Sequence, residues 1–243
     1  MNNILKKIPY VITTVRFFRS ILGLTPEVLS KRYFVSQRDI LINQYIKNNL
    51  CKKLHIGCQA TPIESWLNVD LLPLTKEIVI MDATKPFCFE NNTFDFIFSE
   101  HMLEHISFKE GNFMLSECSR VLKNGGKLRL STPDLNFLIN IYLFPNSDIH
   151  LKYREFSVKY LEESSTPGLP SVVLNNFFRN WGHKFIYDKE SITYLLQKNG
   201  FKNITFYEVG KSNFPELNNL ERHGMQISDE FNELESLVVE AEK

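Results

Sequence analysis

The sequence lacks several features that define other protein classes. Its 28 Lys and Arg residues balance 28 Asp and Glu residues, so the formal net charge is zero. This balance argues against a nucleic-acid-binding protein that relies on a general basic field. The four cysteines form no C-x-x-C pair, which argues against a disulfide framework and a zinc knuckle. We therefore expect reduced thiols in a cytoplasmic protein.

Long apolar runs are absent as well. The most apolar stretch, residues 8–24, is interrupted by Arg16 and Arg19 and has no small-residue cleavage site. We therefore expect neither a signal peptide nor a transmembrane helix there. The G-x-G-x-x-G motif is also missing, which argues against a nicotinamide-dependent dehydrogenase.

Apolar residues are nevertheless abundant, at 43% of 243 residues, which suits one large domain with elaborations. From residue 51 onward, strand-like and helix-like segments alternate, and this pattern predicts parallel strands with right-handed crossovers. The predicted strands are 53–56, 66–69, 77–81, 94–98, 127–131, 204–209 and 234–241. The predicted helices are 107–122, which ends at Asn124-Gly125-Gly126, then 135–143, and finally 188–198 with Asp188 as its cap. Residues 135–180 fit no standard crossover, and we interpret them as an insertion that forms part of the substrate pocket.

Residues 1–50 are predicted to form a helical extension before the main domain of residues 51–243. Apolar spacing predicts a first helix within residues 4–22, and Thr25-Pro26-Glu27 predicts the start of a second helix that runs to about residue 48. These helices have three alternative roles: they cover the sheet, form a lid, or contact a membrane. In the last case, residues 1–24 would bring the protein to the inner face of the membrane as a basic amphipathic segment.

Residues 54–70, LHIGCQATPIESWLNVD, read as a strand, a tight turn and a second strand that ends in an acid. In a doubly wound sheet, ligands bind outside the carboxyl ends of the strands. Gly57 allows close approach of the backbone to a ligand, and Asp70 can accept both hydroxyls of a ribose. This stretch therefore predicts a site for a nucleoside-containing cofactor.

The segment His101-Met102-Leu103-Glu104-His105 matches H-x-x-E-H, the inverted zinc-protease signature. That signature needs a helix of its own and a third ligand downstream, whereas here it directly follows the predicted strand 94–98. We therefore predict no metal site. The remaining interpretations are a reaction pocket and a structural polar network.

Six segments in this order resemble the class I S-adenosylmethionine-dependent methyltransferases, in particular the type 11 group, over roughly residues 50–241. They are KLHIGC at 53–58, WLNVD at 66–70, MDATKPF at 81–87, FDFIFSEHMLEHI at 94–106, ECSRVLKNGGKLRLSTPD at 117–134 and WGHKFIYDKESITYLLQKNGF at 181–201. The resemblance implies a Rossmann-like, doubly wound, seven-stranded and mostly parallel sheet with an antiparallel last strand. The chain departs from the family at Gln59, where a glycine is usual, and at His55, where an acid is frequent.

The resemblance also implies S-adenosylmethionine as the cofactor and assigns the residues that contact it. In the family, the acid that matches Asp82 accepts a hydrogen bond from the adenine amine; the alternative for Asp82 is a turn-forming role. The predicted cofactor-binding residues are Gly57, Gln59, Asp70, Leu71, Asp82, Ala83, Ser99 and Glu100.

Relatives often act in polysaccharide biosynthesis, so the predicted reaction is O-methylation of a glycan or glycan-lipid precursor. The alternatives are another small metabolite as acceptor, or a degenerate S-adenosylmethionine-binding partner protein. The RNWGHKF segment combines a planar donor, an aromatic face and an imidazole, which suits a sugar or a packed Trp corner. The predicted substrate-binding residues are Asp134, Arg179, Trp181, Arg222 and His223. For removal of the acceptor proton we predict His101 first, followed by His183 and His105.

Overall fold

The computed structural model describes residues 26–160 and 167–243, which form seven β-strands and seven α-helices. The strands are β1 (Lys53–Ile56), β2 (Leu67–Asp70), β3 (Val79–Ile80), β4 (Phe94–Glu100), β5 (Leu122–Pro133), β6 (Lys202–Tyr207) and β7 (Ser236–Glu242). The helices are α1 (Pro26–Asn48), α2 (Phe108–Val121), α3 (Leu135–Leu143), α4 (Asp148–Ser157), α5 (Pro170–Arg179), α6 (Lys189–Lys198) and α7 (Asp229–Glu235).

The strands form one sheet in the order β3-β2-β1-β4-β5-β7-β6. Neighbouring strands are parallel except at β7, which runs antiparallel to both β5 and β6. The predicted Rossmann-like fold class with an antiparallel last strand is therefore confirmed. Chain order reverses at β1, which pairs with β2 on one side and with β4 on the other, so that Ile56 lies opposite Ser99. Ligands of such sheets bind at this reversal.

Helices cover the central strands, which explains their apolar sequences. Leu54 and Ile56 of β1 and Ile97 of β4 are at most 1% exposed, as expected for parallel strands between two helical layers. Helix α1 packs against the main core through Ile42 and Tyr45. The carboxyl-terminal half of α1 therefore belongs to the layer that covers the sheet.

Residues 135–180 contain α3, α4 and α5. The apolar faces of these helices meet in a second cluster, where Phe137, Tyr153 and Phe177 pack together with Phe231 of α7. Because α3 starts directly after β5, with Asp134 as its N-cap, this cluster lies beside the carboxyl edge of the sheet. The insertion is thus held against the edge where ligands bind in this fold.

Capping residues set several of the helix boundaries. Ser107 and Glu110 form a reciprocal capping box at the start of α2, and Asp188 forms one with Ser191 at the start of α6. The predicted cap at Asp188 is confirmed.

The predicted end of the helix 107–122 is wrong. Helix α2 stops at Val121, and Asn124-Gly125-Gly126 lies inside β5. There the tripeptide forms a bulge in the pairing of β5 with β4. Its backbone is satisfied by the last residue, because Gly125 N donates to Lys243 O and Lys243 N donates to Gly126 O, both at 3.1 Å. Asn124-Gly125-Gly126 is therefore part of a strand that pairs with β4 and β7, and it does not cap α2.

The predicted strand 234–241 is wrong at its start. Helix α7 continues to Glu235, and β7 begins only at Ser236. The apolar Leu234 belongs to the helix and packs against the second cluster, so the apparent alternation at this point arises from two different elements.

Three predictions concern residues that lie wholly or partly outside the described ranges. The first helix and the membrane contact fall within residues 1–24, and the insertion includes residues 161–166, which are also outside them. All four cysteines lie inside the described ranges and are free thiols.

None of the helices in residues 26–160 and 167–243 combines the length and the apolar character needed to cross a membrane.

Candidate active site

A cavity of about 420 Å³ opens at the carboxyl ends of β1, β4 and β5. Gly57 and Gln59 line it beside β1, and Pro133 lines it at the end of β5. Its polar lining, here called the polar wall, includes four of the six histidines of the chain, His101, His105, His183 and His223. Its aromatic lining, here called the aromatic wall, consists of Tyr153, Phe156, Tyr160, Phe177 and Trp181, and the two meet where the rings of Trp181 and His183 lie 5.4 Å apart.

Gly57 lines the end of the cavity beside β1, and Asp70 at the tip of β2 holds the backbone of the adjacent Gln59. Gly57 has φ +76°, and an added Cβ would lie only 2.5 Å from Met102 Cγ, so the turn has no room for a side chain. Asp70 is 9% exposed. Its Oδ2 accepts a hydrogen bond from Gln59 N and its Oδ1 accepts one from Leu72 N, both at 2.8 Å. The carboxylate is thus held at the tip of β2 and retains lone pairs for two hydroxyl donors.

Of the eight predicted cofactor contacts, three line this cavity, Gly57, Gln59 and Glu100. Asp82 Oδ1 accepts hydrogen bonds from both Thr84 N (2.9 Å) and Thr84 Oγ1 (2.6 Å), which is the turn-forming geometry. Ser99 is buried, and its hydroxyl donates to Ile56 O at 3.0 Å, which ties β4 to β1. Leu71 is 54% exposed and follows Asp70 directly. The cofactor roles of all eight residues remain predictions.

The H-x-x-E-H segment does not form an α-helix. His101 has φ +44°, and its N donates to Ser131 O at 2.9 Å, which extends the pairing of β4 with β5 by one residue. Only Leu103–His105 turn, as a short 3₁₀ segment. His101 and His105 therefore do not lie one above the other on a helix. A side chain other than glycine in the left-handed region is uncommon, and such residues concentrate at functional sites.

His101 is held by polar partners on both ring nitrogens. Its Nδ1 lies 3.2 Å from Oε1 of the buried Glu104, and its Nε2 lies 3.2 Å from Ser236 Oγ. Burial lowers the pKa of His101, but the carboxylates of Glu104, Glu235 and Glu100 outweigh burial, so its pKa lies above the ordinary histidine value. The ring is therefore a cation over more of the neutral range than a free histidine.

A second histidine–carboxylate pair stands beside the first. The ring of His223 lies 4.0 Å from the ring of His101, and His223 Nε2 lies 3.0 Å from Glu235 Oε1. Glu235 Oε2 accepts a hydrogen bond from the hydroxyl of Tyr153. Burial and the neighbouring Glu235 carboxylate hold the pKa of Tyr153 well above its ordinary value, so this hydroxyl remains a donor.

Glu100 attaches the segment that carries His223 to the end of β4. Its two carboxylate oxygens accept hydrogen bonds from Arg222 N at 2.9 and 2.8 Å, and Oε1 also accepts one from His223 N at 3.0 Å. These bonds bring the long connection between β6 and β7 into the cavity wall.

The first part of this fold matches a known family. Residues 54–130 match the family model described as a methyltransferase domain, Methyltransf_11. This range contains Gly57, Asp70 and Asp82 at the ends of β1, β2 and β3, together with His101 after β4. This part of the chain is a methyltransferase domain of that family. Its cofactor is S-adenosylmethionine, and the glycine turn without room for a Cβ and the fixed Asp70 carboxylate fit this group.

Comparison with solved structures gives distant likenesses. One is a SAM-dependent methyltransferase from Archaeoglobus fulgidus, at 17% identity over 93% of this chain and 98% of that chain, with a TM-score of 0.45. Another is an S-adenosylmethionine-dependent methyltransferase from Mesorhizobium loti, at 15% identity over 85% and 97% of the two chains, with a TM-score of 0.46. At these TM-scores the likeness adds nothing to what the strand order shows. No curated protein matches the sequence.

The methyltransferase's predicted substrate-binding residues fall into two groups. Trp181, Arg222 and His223 line the cavity. Asp134 and Arg179 do not: Asp134 caps α3 by accepting a hydrogen bond from Asn136 N at 2.8 Å, and Arg179 is an exposed residue at the end of α5. The Arg222 guanidinium donates to Asn219 O at 2.8 Å, so part of its hydrogen-bonding capacity is already used.

Several cavity residues were not predicted from the sequence. Glu235 falls inside the incorrectly predicted strand 234–241, and the sequence assigns Tyr153 only to the insertion 135–180. Phe156, Tyr160 and Phe177 carry no spacing signal that distinguishes them from core aromatics. What brings them to the site is the packing of α4 and α5 against α7, which is a long-range contact.

Two groups in the cavity wall have the composition of a metal site. They are His101, His223 and Glu235, and Glu104, His105 and His183, with ligand atoms within 4.8 Å of one another in each group. The ligand atoms of the first group are already used in hydrogen bonds within the protein, because His101 is paired with Glu104 and Glu235 is paired with both His223 and Tyr153. We predict that the methyltransferase needs no metal and that dialysis against EDTA leaves turnover unchanged. Loss of turnover with EDTA, followed by recovery with Zn²⁺, would contradict this prediction.

Proposed function

We propose that this methyltransferase transfers the methyl group to a hydroxyl of a glycan or glycan-lipid precursor. S-Adenosylmethionine supplies a methyl group activated by its sulfonium sulfur. The chain must bind the acceptor, orient one hydroxyl at about 3–3.5 Å from that methyl group, and exclude water. The observation that carries the proposal is the division of the cavity into an aromatic wall and a wall of imidazoles and carboxylates.

The aromatic wall offers a stacking surface for the apolar face of a pyranose ring. Trp181 is 47% exposed and lines the cavity, while Phe177 packs edge-on against it with ring centroids 5.4 Å apart. Large side chains so exposed inside a cavity have surface left for a ligand. The adjoining polar wall supplies hydrogen-bond donors and acceptors for hydroxyls.

The charges of the polar wall favour a neutral acceptor over an anionic one. Glu100, Glu104 and Glu235 line the cavity, against Arg222 as its single lysine or arginine side chain in the described residues. A phosphate at the reacting end of the acceptor would meet like charge, which raises the cost of binding. In a glycan-lipid precursor, the sugar rather than the phosphate would therefore occupy the cavity.

The test uses trideuteromethyl S-adenosylmethionine and a panel of methyl glycosides of mannose, rhamnose, fucose and galactose. We expect mass spectrometry to show one labelled methyl group on a sugar oxygen. Trp181→Ala should raise the KM for the glycoside by about two- to tenfold, which corresponds to one lost aromatic contact. The matched variant Phe178→Ala removes an aromatic that is 45% exposed but does not line the cavity, so its KM should not change. Label in tyramine or spermidine, and none in the glycosides, would refute a glycan acceptor.

A membrane-bound acceptor would also give a role to the basic amphipathic segment 1–24. Lys6, Lys7, Arg16 and Arg19 would attract anionic lipid while the apolar stripe enters the interface. We expect the full chain to co-sediment with phosphatidylglycerol vesicles, less so as salt is raised, and a variant without residues 1–24 not to co-sediment. Phosphatidylcholine vesicles serve as the uncharged control. Equal sedimentation of the two proteins would exclude this contact.

A further inference from the structure

One histidine of the polar wall is locked in a single tautomer. His183 Nδ1 lies 2.7 Å from the backbone carbonyl oxygen of Phe177. A carbonyl only accepts, so Nδ1 must carry the proton, and in the neutral ring the lone pair is on Nε2. Burial lowers the pKa of His183 by more than Glu104 and the Phe177 carbonyl raise it. The neutral form therefore dominates at neutral pH.

The other three histidines of the wall do not share this state. Both nitrogens of His101 are engaged, and Ser236 donates its hydroxyl proton to Asn232 Oδ1 at 2.8 Å, so Ser236 Oγ accepts from His101 Nε2. His101, the first choice from sequence, thus offers no free lone pair. His223 is paired with Glu235 through Nε2. No side-chain hydrogen bond of His105 to another described residue fixes its tautomer.

The backbone around His183 is built to hold the ring in place. Trp181 and Gly182 both have positive φ, +55° and +81°, and His183 N donates to Asn180 O at 3.1 Å. Directly afterwards, Lys184 N and Phe185 N donate to Glu104 O at 2.7 and 3.3 Å. A strained turn is thus attached to the β4–α2 connection. Such strain persists where the surrounding structure fixes it and is concentrated at functional sites.

We propose that His183 Nε2 is the general base that takes the proton of the acceptor hydroxyl. This proposal rests on the proposed O-methyl transfer. The oxygen forms its bond to the methyl carbon as the carbon–sulfur bond breaks, and that electron pair stays on sulfur. The hydroxyl proton moves to Nε2, so the ring becomes an imidazolium and later releases the proton to water. The net result is a methyl ether, S-adenosylhomocysteine and one proton.

The surroundings suit this transient cation. A carboxylate oxygen of Glu104 lies within 4.8 Å of a nitrogen of His183, and its negative charge stabilises the imidazolium as it forms. The titratable and charged groups that line the cavity with His183 are Glu100, His101, Glu104 and His105 at and after the end of β4, Tyr153 and Tyr160 of the insertion, and Arg222, His223 and Glu235 between β6 and β7. Since the base must be neutral, the rate should fall as pH drops through the lowered pKa of His183.

The deciding variant is His183→Asn. The asparagine amide can still donate to the Phe177 carbonyl, but the base at Nε2 is lost. We expect turnover to fall by about 10²–10⁴-fold, with unchanged affinity for S-adenosylmethionine by calorimetry, and the acid limb of the pH profile to disappear. His150→Asn is the matched control, because His150 Nδ1 makes the same bond to a carbonyl six residues earlier, Phe144 O at 2.8 Å, and does not line the cavity.

A second measurement does not depend on turnover. In ¹⁵N-histidine spectra of the full chain, without added S-adenosylmethionine, His183 should show a protonated Nδ1 and a bare Nε2 at neutral pH. A proton on Nε2 there, turnover of His183→Asn within a fewfold of His150→Asn, or equal loss of cofactor binding and turnover would each overturn the proposal. If the parent methylates no glycoside, the proposed acceptor fails, while the spectrum still decides whether His183 has the state of a base.

Discussion

Replacing Asp70 with alanine should weaken the binding of S-adenosylmethionine by about ten- to over a hundredfold. The carboxylate at the tip of β2 is predicted to accept the ribose hydroxyls, and a hydrogen bond to a charged group contributes about 1.5–3 kcal/mol. In affinity, this range corresponds to the stated factor. Titration calorimetry with the cofactor alone measures the effect without any acceptor.

Asp70 also holds the turn after β1 through Gln59 N and Leu72 N, so a loss of binding in the alanine variant needs a structural check. Asp70→Asn retains one carbonyl oxygen as acceptor and should bind with intermediate affinity. Asp188→Ala removes an acid that only caps α6 and should leave cofactor affinity unchanged. Unchanged affinity in a folded Asp70→Ala protein would remove the ribose assignment.

The turn after β1 and the acid at the tip of β2 were predictable because the sequence signals for them are local. A strand of apolar residues, a glycine turn and an acid at the next strand tip occur within residues 54–70, and the sheet brings them together as expected. Asp188 was likewise read as a cap from its immediate neighbours. These features depend on hydrogen bonds and packing between residues close in sequence or in adjacent strands.

The lining of the cavity was predictable only in part because its geometry depends on contacts between residues distant in sequence. Glu235 reaches the cavity through the α7–β7 junction, where a helix end and a strand start together mimic an alternating strand. The H-x-x-E-H spacing suits a helix, but His101 instead continues the pairing of β4 with β5 through Ser131 O. The choice between His101 and His183 as base depends on which ring nitrogen is already bonded, and no sequence pattern records that.

The family match ends at residue 130, before much of the cavity lining. The aromatic wall, His183 and the segment with His223 and Glu235 all follow that boundary. The reaction and the cofactor therefore follow from the matched segment, whereas the proposed contacts with the acceptor lie largely outside it. The experiments on Trp181 and His183 are directed at this second part.

The segment that carries His223 is anchored by a buried cation, Arg129 of β5. Arg129 is 0% exposed and lies opposite Glu240 of β7. Its Nη1 donates to Glu240 Oε1 at 2.6 Å and its Nε donates to Glu221 Oε1 at 2.6 Å. Since Glu221 precedes Arg222 and His223 directly, this ion cluster connects the sheet to the cavity wall.

Arg129→Ala should therefore lower the free energy of unfolding by about 3–5 kcal/mol, because it leaves two buried carboxylates without their cation. Urea unfolding gives the value. Lys127→Ala is the matched control: Lys127 lies two residues away on β5 and pairs with Glu242 of β7 at 2.6 Å in a more exposed position, so it should cost at most about 1 kcal/mol. Adding Glu221→Gln and Glu240→Gln to Arg129→Ala should restore part of the loss, since the amides remove the unpaired charges. If Arg129→Ala costs no more than Lys127→Ala, the buried cluster does not anchor this segment.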